Sequence, residues 1–281
     1  RHPVLFIIGP PRSGSTLLMQ LVTDAFDFGY FSNGHCKYYG APALAEKLHS
    51  PLGDKQPSDY RSRHGATSLP YEPSECPNWW YRFFRRHPAF VPVEEVDPAR
   101  MRKMRRSLAA LVNAFDRPVL IKNLFASVRL GPIIRYLPES RFIVISRDEL
   151  DNARSLLAGR RELGGSYEAW WSVEPPDSGS LRALPPHSQV VEQIRGIHAQ
   201  IDCDLNRFGV PESRVHRIRY ESLCEDTDRC ITNCEAFFAR NSIHVNRLFT
   251  TPSSFECRAT SSIKPEVDAA LADYVGDVEK T

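Results

Sequence analysis

The sequence predicts an α/β fold with three layers, α/β/α, built on a central parallel sheet. Short apolar runs rich in branched side chains end in polar loops, and helical periodicity follows the first and the third of them. Strands joined by crossover helices lie parallel in one sheet. With 281 residues and a hydrophobic content of 42%, the chain can bury a full core, so we expect a single domain over residues 1–281.

Four runs are assigned to strands in chain order. Val4 to Ile8 precedes the loop GPPRSGST and the periodic stretch LLMQLVTDAF, which together give strand, loop and helix. Pro118 to Ile121 precedes a polar Lys-Asn pair, and Arg141 to Ile145 precedes Ser-Arg-Asp and the helical stretch LDNARSLLAG. Val215 to Arg219 is the fourth candidate, and the helix after it carries two cysteines four residues apart.

The segment between the first two strands differs in character. From about Pro51 to Pro98 it is rich in proline, aromatic and polar residues and shows little periodicity. We expect an insertion over the sheet that carries specificity, as such loops usually do. Next, Arg100 to Arg106 continues into SLAALVNAF and predicts an amphipathic helix with five cations near its start. We interpret these cations as a solvated helix face, and docking of an acidic acceptor is the alternative.

Charge and composition exclude several kinds of partner. The 36 basic and 34 acidic residues leave a net charge of +2, so the chain has no overall field for binding nucleic acid or a membrane surface. No apolar run reaches the roughly 20 residues that span a bilayer. Seven cysteines without a CxxC pair favour free thiols in a reducing, cytoplasmic compartment over a zinc site or a complete disulfide framework. The numbering begins at Arg1 and not at methionine, so an earlier signal, anchor or tag stays open.

The first loop has the glycine spacing of a phosphate-binding P-loop. In Gly9 to Thr16, backbone N–H groups and a helix N-terminus can converge on a phosphate. Ser15 stands where nucleoside-triphosphate enzymes have the lysine that reaches the β- and γ-phosphates. Because Arg12 supplies the charge instead, the loop suits an anion without a γ-phosphate. The fold class is therefore P-loop-like, and a plain tight turn is the alternative.

A second anion site is predicted after the third strand. Arg147 follows that strand, and Ser155 lies eight residues later, within two turns of the next helix's N-terminus. A guanidinium and a hydroxyl together can hold one phosphate. Alone this pattern is weak, but it stands at the sheet edge where α/β proteins bind ligands.

These motifs resemble those of a known family. PRSGSTLL resembles the 5'-phosphosulfate loop of sulfotransferases that use 3'-phosphoadenosine 5'-phosphosulfate (PAPS), and SRDELDNARSLL resembles their 3'-phosphate motif. The joint match is more specific than either part. The likeness is greatest to bacterial and tyrosylprotein sulfotransferases, whose loop typically reads Pro-Arg-Ser-Gly-Thr-Thr. The resemblance covers most of the chain but leaves out roughly residues 40 to 115, where the family differs most in acceptor choice.

The resemblance implies a cofactor site made of several separate segments. The loop residues implied to bind the 5'-phosphosulfate are Arg12, Ser13, Gly14, Ser15 and Thr16. The residues implied to bind the 3'-phosphate are Arg147 and Ser155, with further contacts from Tyr220 in RYESL and Lys264 in IKP. Lys122 stands where the family has a strand-end lysine near the transferring sulfate, so we expect it to stabilise the bridging oxygen as the product PAP leaves.

The general base departs from the family pattern. Cytosolic members have a histidine two residues after the strand-end lysine, and Leu124 occupies that place. Tyrosylprotein sulfotransferases use a glutamate after a glycine, and by spacing that position falls on His35, whose ordinary pKa near 6.5 suits proton removal. Glu72 and Glu75, beside two tryptophans, are the alternatives.

The implied function is transfer of the sulfuryl group from PAPS to an acceptor hydroxyl, without a metal. Carbohydrate or another small molecule is the favoured acceptor, while lipid-linked glycan, phenol and peptide tyrosine stay open. The alternatives are a P-loop nucleotide kinase, which the missing lysine disfavours, and a non-catalytic PAP-binding protein, which the presence of Lys122 disfavours.

Overall fold

The structure is a computed structural model that describes residues 2–49, 55–257 and 263–278. Arg1 and the first residues of the predicted insertion, 51–54, lie outside these described residues. Within the described part of the chain, no helix is both long and apolar enough to cross a membrane.

The centre of the fold is a parallel sheet that, in the described residues, has four strands in the order β2-β1-β3-β4. The strands are β1 (Val4–Ile8), β2 (Val119–Lys122), β3 (Arg141–Ser146) and β4 (Val215–Arg219). All four predicted strands are confirmed, with ends displaced by at most one residue in β2 and β3. Because the strands are parallel, their carboxyl ends share one edge, where Lys122 ends β2 and the loop from Gly9 follows β1.

Helices lie in the connections between strands and in the chain after β4. Their bounds are α1 (Ser15–Ala25), α2 (Asn33–Lys37), α3 (Pro42–His49), α4 (Pro77–Trp80), α5 (Pro98–Phe115), α6 (Leu130–Tyr136), α7 (Glu149–Gly164), α8 (Ser178–Leu181), α9 (Pro186–Arg207), α10 (Tyr220–Glu225), α11 (Thr227–Arg240) and α12 (Pro265–Val278). The predicted amphipathic helix is α5, whose apolar side is buried while Arg100 and Lys103 are exposed.

Strand β1 shows why the fold has three layers. Its side chains alternate between faces, so Leu5 and Ile7 pack with α1 and α11, while Phe6 and Ile8 pack with α5, α6 and α9. All five residues of β1 are buried, as expected for a central parallel strand covered on both faces. The predicted α/β/α arrangement is confirmed.

The Pro- and aromatic-rich stretch has two different parts. Trp79 and Trp80, both almost completely buried, pack into the core beside Phe6, so they form part of the hydrophobic core under the sheet. Four residues of the segment 60–65 and Glu75, in contrast, line a cavity at the carboxyl edge of the sheet; the four are Tyr60, Ser62, His64 and Gly65. Only the second part is placed to affect ligand binding.

Candidate active site

The loop after β1 has the backbone of an anion-binding turn. Arg12 (φ 66°) and Gly14 (φ 90°) adopt left-handed conformations, and α1 begins directly after Gly14. A Cβ at Gly14 would overlap the ring of Tyr220, so only glycine fits there. The first N–H groups of α1 have no partners within the helix and are available to a ligand.

Two buried side chains fix the shape of this loop. Ser127 Oγ accepts a hydrogen bond from the Gly9 N–H (3.0 Å) and lies 3.1 Å from the Gly9 carbonyl, to which it can donate. Asn152, in α7, donates from Nδ2 to the Pro11 carbonyl (2.8 Å). The loop is therefore held in place by the protein itself, before any ligand binds.

The predicted phosphate-binding residues lie together. Arg12 Nε donates to Ser155 Oγ (3.0 Å), and an Arg147 guanidinium N–H donates to the Arg12 carbonyl (3.3 Å). The Arg147 guanidinium also lies 4.7 Å from the centre of the Tyr220 ring. Residues from three separate segments of the chain thus contact one another, and two of them carry permanent positive charge.

Lys122 joins this loop to the insertion. Its Nζ lies 3.0 Å from Thr16 Oγ1 and 2.6 Å from Glu75 Oε1, and the side chain is 4% exposed. Thr16 Oγ1 in turn donates to the Gly65 carbonyl (3.2 Å). The Leu124 N–H donates to Glu75 Oε2 (3.2 Å) and so fixes the carboxylate beside the ammonium group.

These residues line a cavity of about 460 Å³, a volume typical of small-molecule sites. Cationic residues on the lining are Arg12, Lys122 and Arg147, and apolar ones include Phe125 and Trp171. The same lining contains both anion-binding groups and apolar surface, so it can accept a charged cofactor together with an organic acceptor.

Ser13 provides a test of whether the loop fits an anionic cofactor. Its side chain is completely buried, and Oγ has no hydrogen-bond partner among the described residues. A buried hydroxyl without a partner costs free energy unless a ligand or water pairs with it. Ser13 is not on the described cavity lining, but an orphaned donor in the loop that also carries Arg12 fits an anionic cofactor.

His35 is not part of the cavity, which corrects the expectation that it is the base. It is completely buried in α2, where Nδ1 lies 2.9 Å from Ser32 Oγ and Nε2 lies 3.0 Å from Glu46 Oε2. Its ring also packs edge-on against Phe115. Sequence spacing after the first helix suggested that His35 is the base. These contacts instead hold its side chain in the core, where its role is structural.

We expect His35→Ala to lower the free energy of unfolding by about 1 to 3 kcal/mol, because Ser32 and Glu46 lose a buried partner. PAP binding should stay unchanged. Urea unfolding and calorimetry measure the two quantities, and Lys37→Ala, at an exposed position of the same helix, is the control. Lost turnover at wild-type stability would contradict this structural role.

Two further predicted residues differ in placement from the cofactor cluster. Glu72 is 3% exposed and accepts hydrogen bonds from Gln20 Nε2 (3.1 Å) and Ser58 Oγ (2.7 Å). Burial raises its pKa, and its contacts hold residues 58–62 beside α1. Lys264 is exposed and is not on the described cavity lining, although its N–H donates to Tyr167 OH (3.0 Å).

The structure adds cavity residues that sequence reasoning missed. His64 has a left-handed backbone (φ 51°), its Nε2 lies 3.0 Å from Glu162 Oε2, and its ring packs edge-on against Trp171. Phe255 and Glu256, from the segment after α11, also line the cavity. These residues lie in stretches without periodicity or motif, so no local signal identified them.

Comparisons with known proteins agree with this architecture. The model of the Sulfotransferase family matches residues 3–239. Among solved structures, sulfotransferase STF9 from Mycobacterium avium is similar with a TM-score of 0.52 and 14% identity, over 98% of this chain and 68% of that chain. A sulfotransferase from Alicyclobacillus acidocaldarius gives a TM-score of 0.47 and 14% identity, over 99% of this chain and 92% of that chain.

The chain has no match among curated proteins. At 14% identity, the likeness to the Mycobacterium avium enzyme shows a shared fold. The family match is stronger evidence, because it includes the phosphate loop, Lys122 and the Arg147 to Ser155 segment. This chain belongs to the sulfotransferase family.

Proposed function

We propose that this chain transfers the sulfuryl group of PAPS to a hydroxyl group of an acceptor, with carbohydrate or another small molecule favoured. The observation that carries the proposal is the meeting of the phosphate loop, the Arg147 and Ser155 pair and Lys122 at one cavity. When bound, PAPS supplies an activated sulfuryl group. The side chains described above would bind the cofactor, stabilise the developing charge and remove the acceptor proton.

The two anion sites would hold the two ends of the cofactor. The loop from Arg12 to Thr16 would bind the 5'-phosphosulfate through its N–H groups, hydroxyls and guanidinium. Arg147 and Ser155 would bind the 3'-phosphate, and the Tyr220 ring would support Arg147 from behind. Lys264 stays a predicted further contact.

Lys122 would stabilise negative charge that develops on the leaving oxygen. It is buried, and Glu75 and Thr16 fix its Nζ, so it needs little reorganisation to donate. Donors held in this way are effective because they are aimed at the charge of the transition state.

Glu75 would be the general base. Its Oε1 lies 2.6 Å from Lys122 Nζ and Glu75 lines the cavity, so its carboxylate would be within reach of a hydroxyl that attacks a sulfuryl group held near Lys122. Oε1 has a second lone pair that can accept the hydroxyl proton, while Lys122 keeps its contact and donates a remaining N–H to the leaving oxygen. The Leu124 N–H keeps its bond to Oε2 throughout and maintains the orientation of the group. Of the residues considered as base, His35 and Glu72 are both tied to structural partners.

The acceptor side of the cavity favours a small organic molecule. Leu124, Phe125 and Trp171 provide apolar lining in the same cavity as Glu75, while the cavity volume of about 460 Å³ must also hold the cofactor. An acceptor with a hydroxyl group next to a modest apolar surface therefore fits best.

A transfer screen tests the proposal. The purified chain is mixed with PAPS that carries labelled sulfate and with representative sugars, glycolipids, phenols and tyrosine peptides. We expect label to move to at least one class at a rate that depends on Glu75. Hydrolysis of ATP with magnesium, without transfer from PAPS, would contradict the proposal and favour a nucleotide kinase.

Arg147→Ala should largely remove the thermal stabilisation that PAP gives. A charge-assisted contact to phosphate contributes roughly 2 kcal/mol or more, so PAP affinity should fall about 30-fold or more. Thermal shift measures this against the ligand-free melting temperature of each variant, because Arg147 also contacts the Arg12 carbonyl. Arg102→Ala, at an exposed position of α5, is the control. An unchanged PAP affinity in Arg147→Ala would remove the 3'-phosphate assignment.

A further inference from the structure

The segment after α11 is fastened to α10 and α11 beside the cavity. The Thr227 N–H donates to the Ser253 carbonyl (2.9 Å), and the Phe255 N–H donates to the Cys224 carbonyl (2.7 Å). These two bonds bring Cys257, two residues beyond Phe255, next to Cys224. The Cys257 side chain lies close enough to Cys224 to help raise the pKa of that buried thiol, after the larger effect of burial.

The two thiols differ in exposure. Cys224 is completely buried, and burial raises its pKa to about 11, whereas Cys257 is exposed. A small oxidant can therefore reach Cys257 first, and Cys224 lies close enough to react with the product.

We propose that Cys224 and Cys257 are the site of a reversible disulfide that ties the segment 253–257 to α10. With oxidised glutathione, the Cys257 thiolate attacks the glutathione disulfide, which forms a mixed disulfide and releases one reduced glutathione. Cys224 then loses its proton and attacks the Cys257 sulfur, which releases the second. The two protein thiols lose two electrons, glutathione disulfide gains them, and the two thiol protons end on the released glutathiones.

The tied segment forms part of the cavity wall. Phe255 and Glu256 line the cavity, and Phe255 packs edge-on against Tyr60 with ring centres 5.2 Å apart. Cys224 lies one turn after Tyr220, whose ring contacts Arg147. A disulfide here restrains one wall of the nucleotide site, so PAP should enter and leave more slowly. This consequence rests on the proposed function, while formation of the bond does not.

The other cysteines are less suited to this reaction. Cys36 and Cys76 also lie near each other, since each affects the pKa of the other's thiol, but Cys76 is completely buried and Cys36 is half-buried. Neither thiol is therefore as open to an oxidant as Cys257. Cys203 is exposed on α9 and can form only a mixed disulfide with glutathione unless another thiol lies near it. Cys203 therefore serves as an internal control for an exposed thiol that reacts with glutathione.

Peptide mapping tests the site directly. The reduced, folded chain is incubated with oxidised glutathione at pH 8, alkylated in denaturant and digested with trypsin without reduction. Cleavage after Arg and Lys places the three cysteines under test in separate peptides: residues 220–229 for Cys224, 248–258 for Cys257 and 196–207 for Cys203. We expect 220–229 linked to 248–258 as the main protein disulfide, while 196–207 carries glutathione.

The controls distinguish a disulfide that the fold favours from one that arises through general thiol reactivity. Cys257→Ser changes an exposed residue and should abolish the linked peptide, while Cys203→Ser should keep it. In 6 M guanidinium the preference for this pair should disappear. The proposal is overturned if Cys257 carries glutathione while Cys224 is still alkylated, or if the same link dominates in the denatured chain.

PAP dissociation from the reduced and the oxidised chain tests the consequence. We expect dissociation to be several-fold slower after oxidation in the wild type and unchanged in Cys257→Ser. Equal rates in both forms would overturn the restraint on the cavity. A linked peptide in a chain that binds no PAP would instead contradict the proposed function and leave the disulfide site standing.

Discussion

Glu75→Gln should lower kcat for sulfuryl transfer by about 10² to 10⁴, the usual effect of losing a general base. The amide has the shape of the carboxylate, but its one oxygen can replace only one of the two acceptors, toward the Leu124 N–H or toward buried Lys122. Some loss of thermal stability is therefore expected, and rates are compared at a temperature where the variant is fully folded. The amide cannot take up the acceptor proton. Single-turnover transfer of labelled sulfate to the acceptor found by screening measures the loss, and PAP binding should change little.

Glu72→Gln is the matched comparison for this variant. Both glutamates come from one short segment, but Glu72 is bonded to Gln20 and Ser58 and its pKa is raised by burial. An amide can replace it in those contacts at small cost. We therefore expect kcat close to that of the wild type. A large loss of kcat in Glu72→Gln together with normal turnover in Glu75→Gln would transfer the role of base to Glu72.

Lys122→Ala should lower kcat by about 10² to 10³, as loss of one fixed donor to a developing charge typically does. Because its contact strengthens mainly in the transition state, PAP affinity should fall much less than turnover. Calorimetry with PAP and single-turnover transfer give the two numbers for one preparation. Lys103→Ala, at an exposed position on α5, controls for loss of a positive charge.

Comparing the loss of PAP affinity with the loss of turnover in Lys122→Ala distinguishes a catalytic role of Lys122 from a binding role. Equal losses of PAP affinity and turnover would make it a simple binding residue. An additional fall in thermal stability is expected, since Lys122 is buried and its removal leaves Glu75 without its ion-pair partner. Rates are therefore compared at a temperature where each variant is fully folded.

The sheet and the phosphate loop could be predicted because their signals are local. The runs at β1 and β3 are continuous and apolar, and the loop from Gly9 to Thr16 needs consecutive residues to form one turn. The meeting of Arg147 and Ser155 with Arg12 also followed, since parallel strands bring their carboxyl ends to one edge.

The base and the cavity wall could not be predicted in the same way. His35 follows the first helix at the expected distance, but contacts with Ser32, Glu46 and Phe115 decide where its ring points. His64 and Phe255 line the cavity but lie in irregular backbone. Such segments have no helical or strand periodicity from which the position of a side chain could be predicted. Trp79 and Trp80 were expected to lie in a specificity loop, yet they fill the core. In each case long-range packing outweighs local pattern.

Calorimetric binding of three nucleotides tests the central claim most directly. PAP carries both the 3'- and the 5'-phosphate, 5'-AMP lacks the 3'-phosphate, and ATP with magnesium needs the lysine that Ser15 replaces. If Arg147 and Ser155 hold a 3'-phosphate, PAP should bind at least about 30-fold more tightly than 5'-AMP, and ATP with magnesium should bind more weakly than PAP. Equal affinity for PAP and 5'-AMP, or tighter binding of ATP with magnesium, would contradict the assignment of this cavity to PAPS.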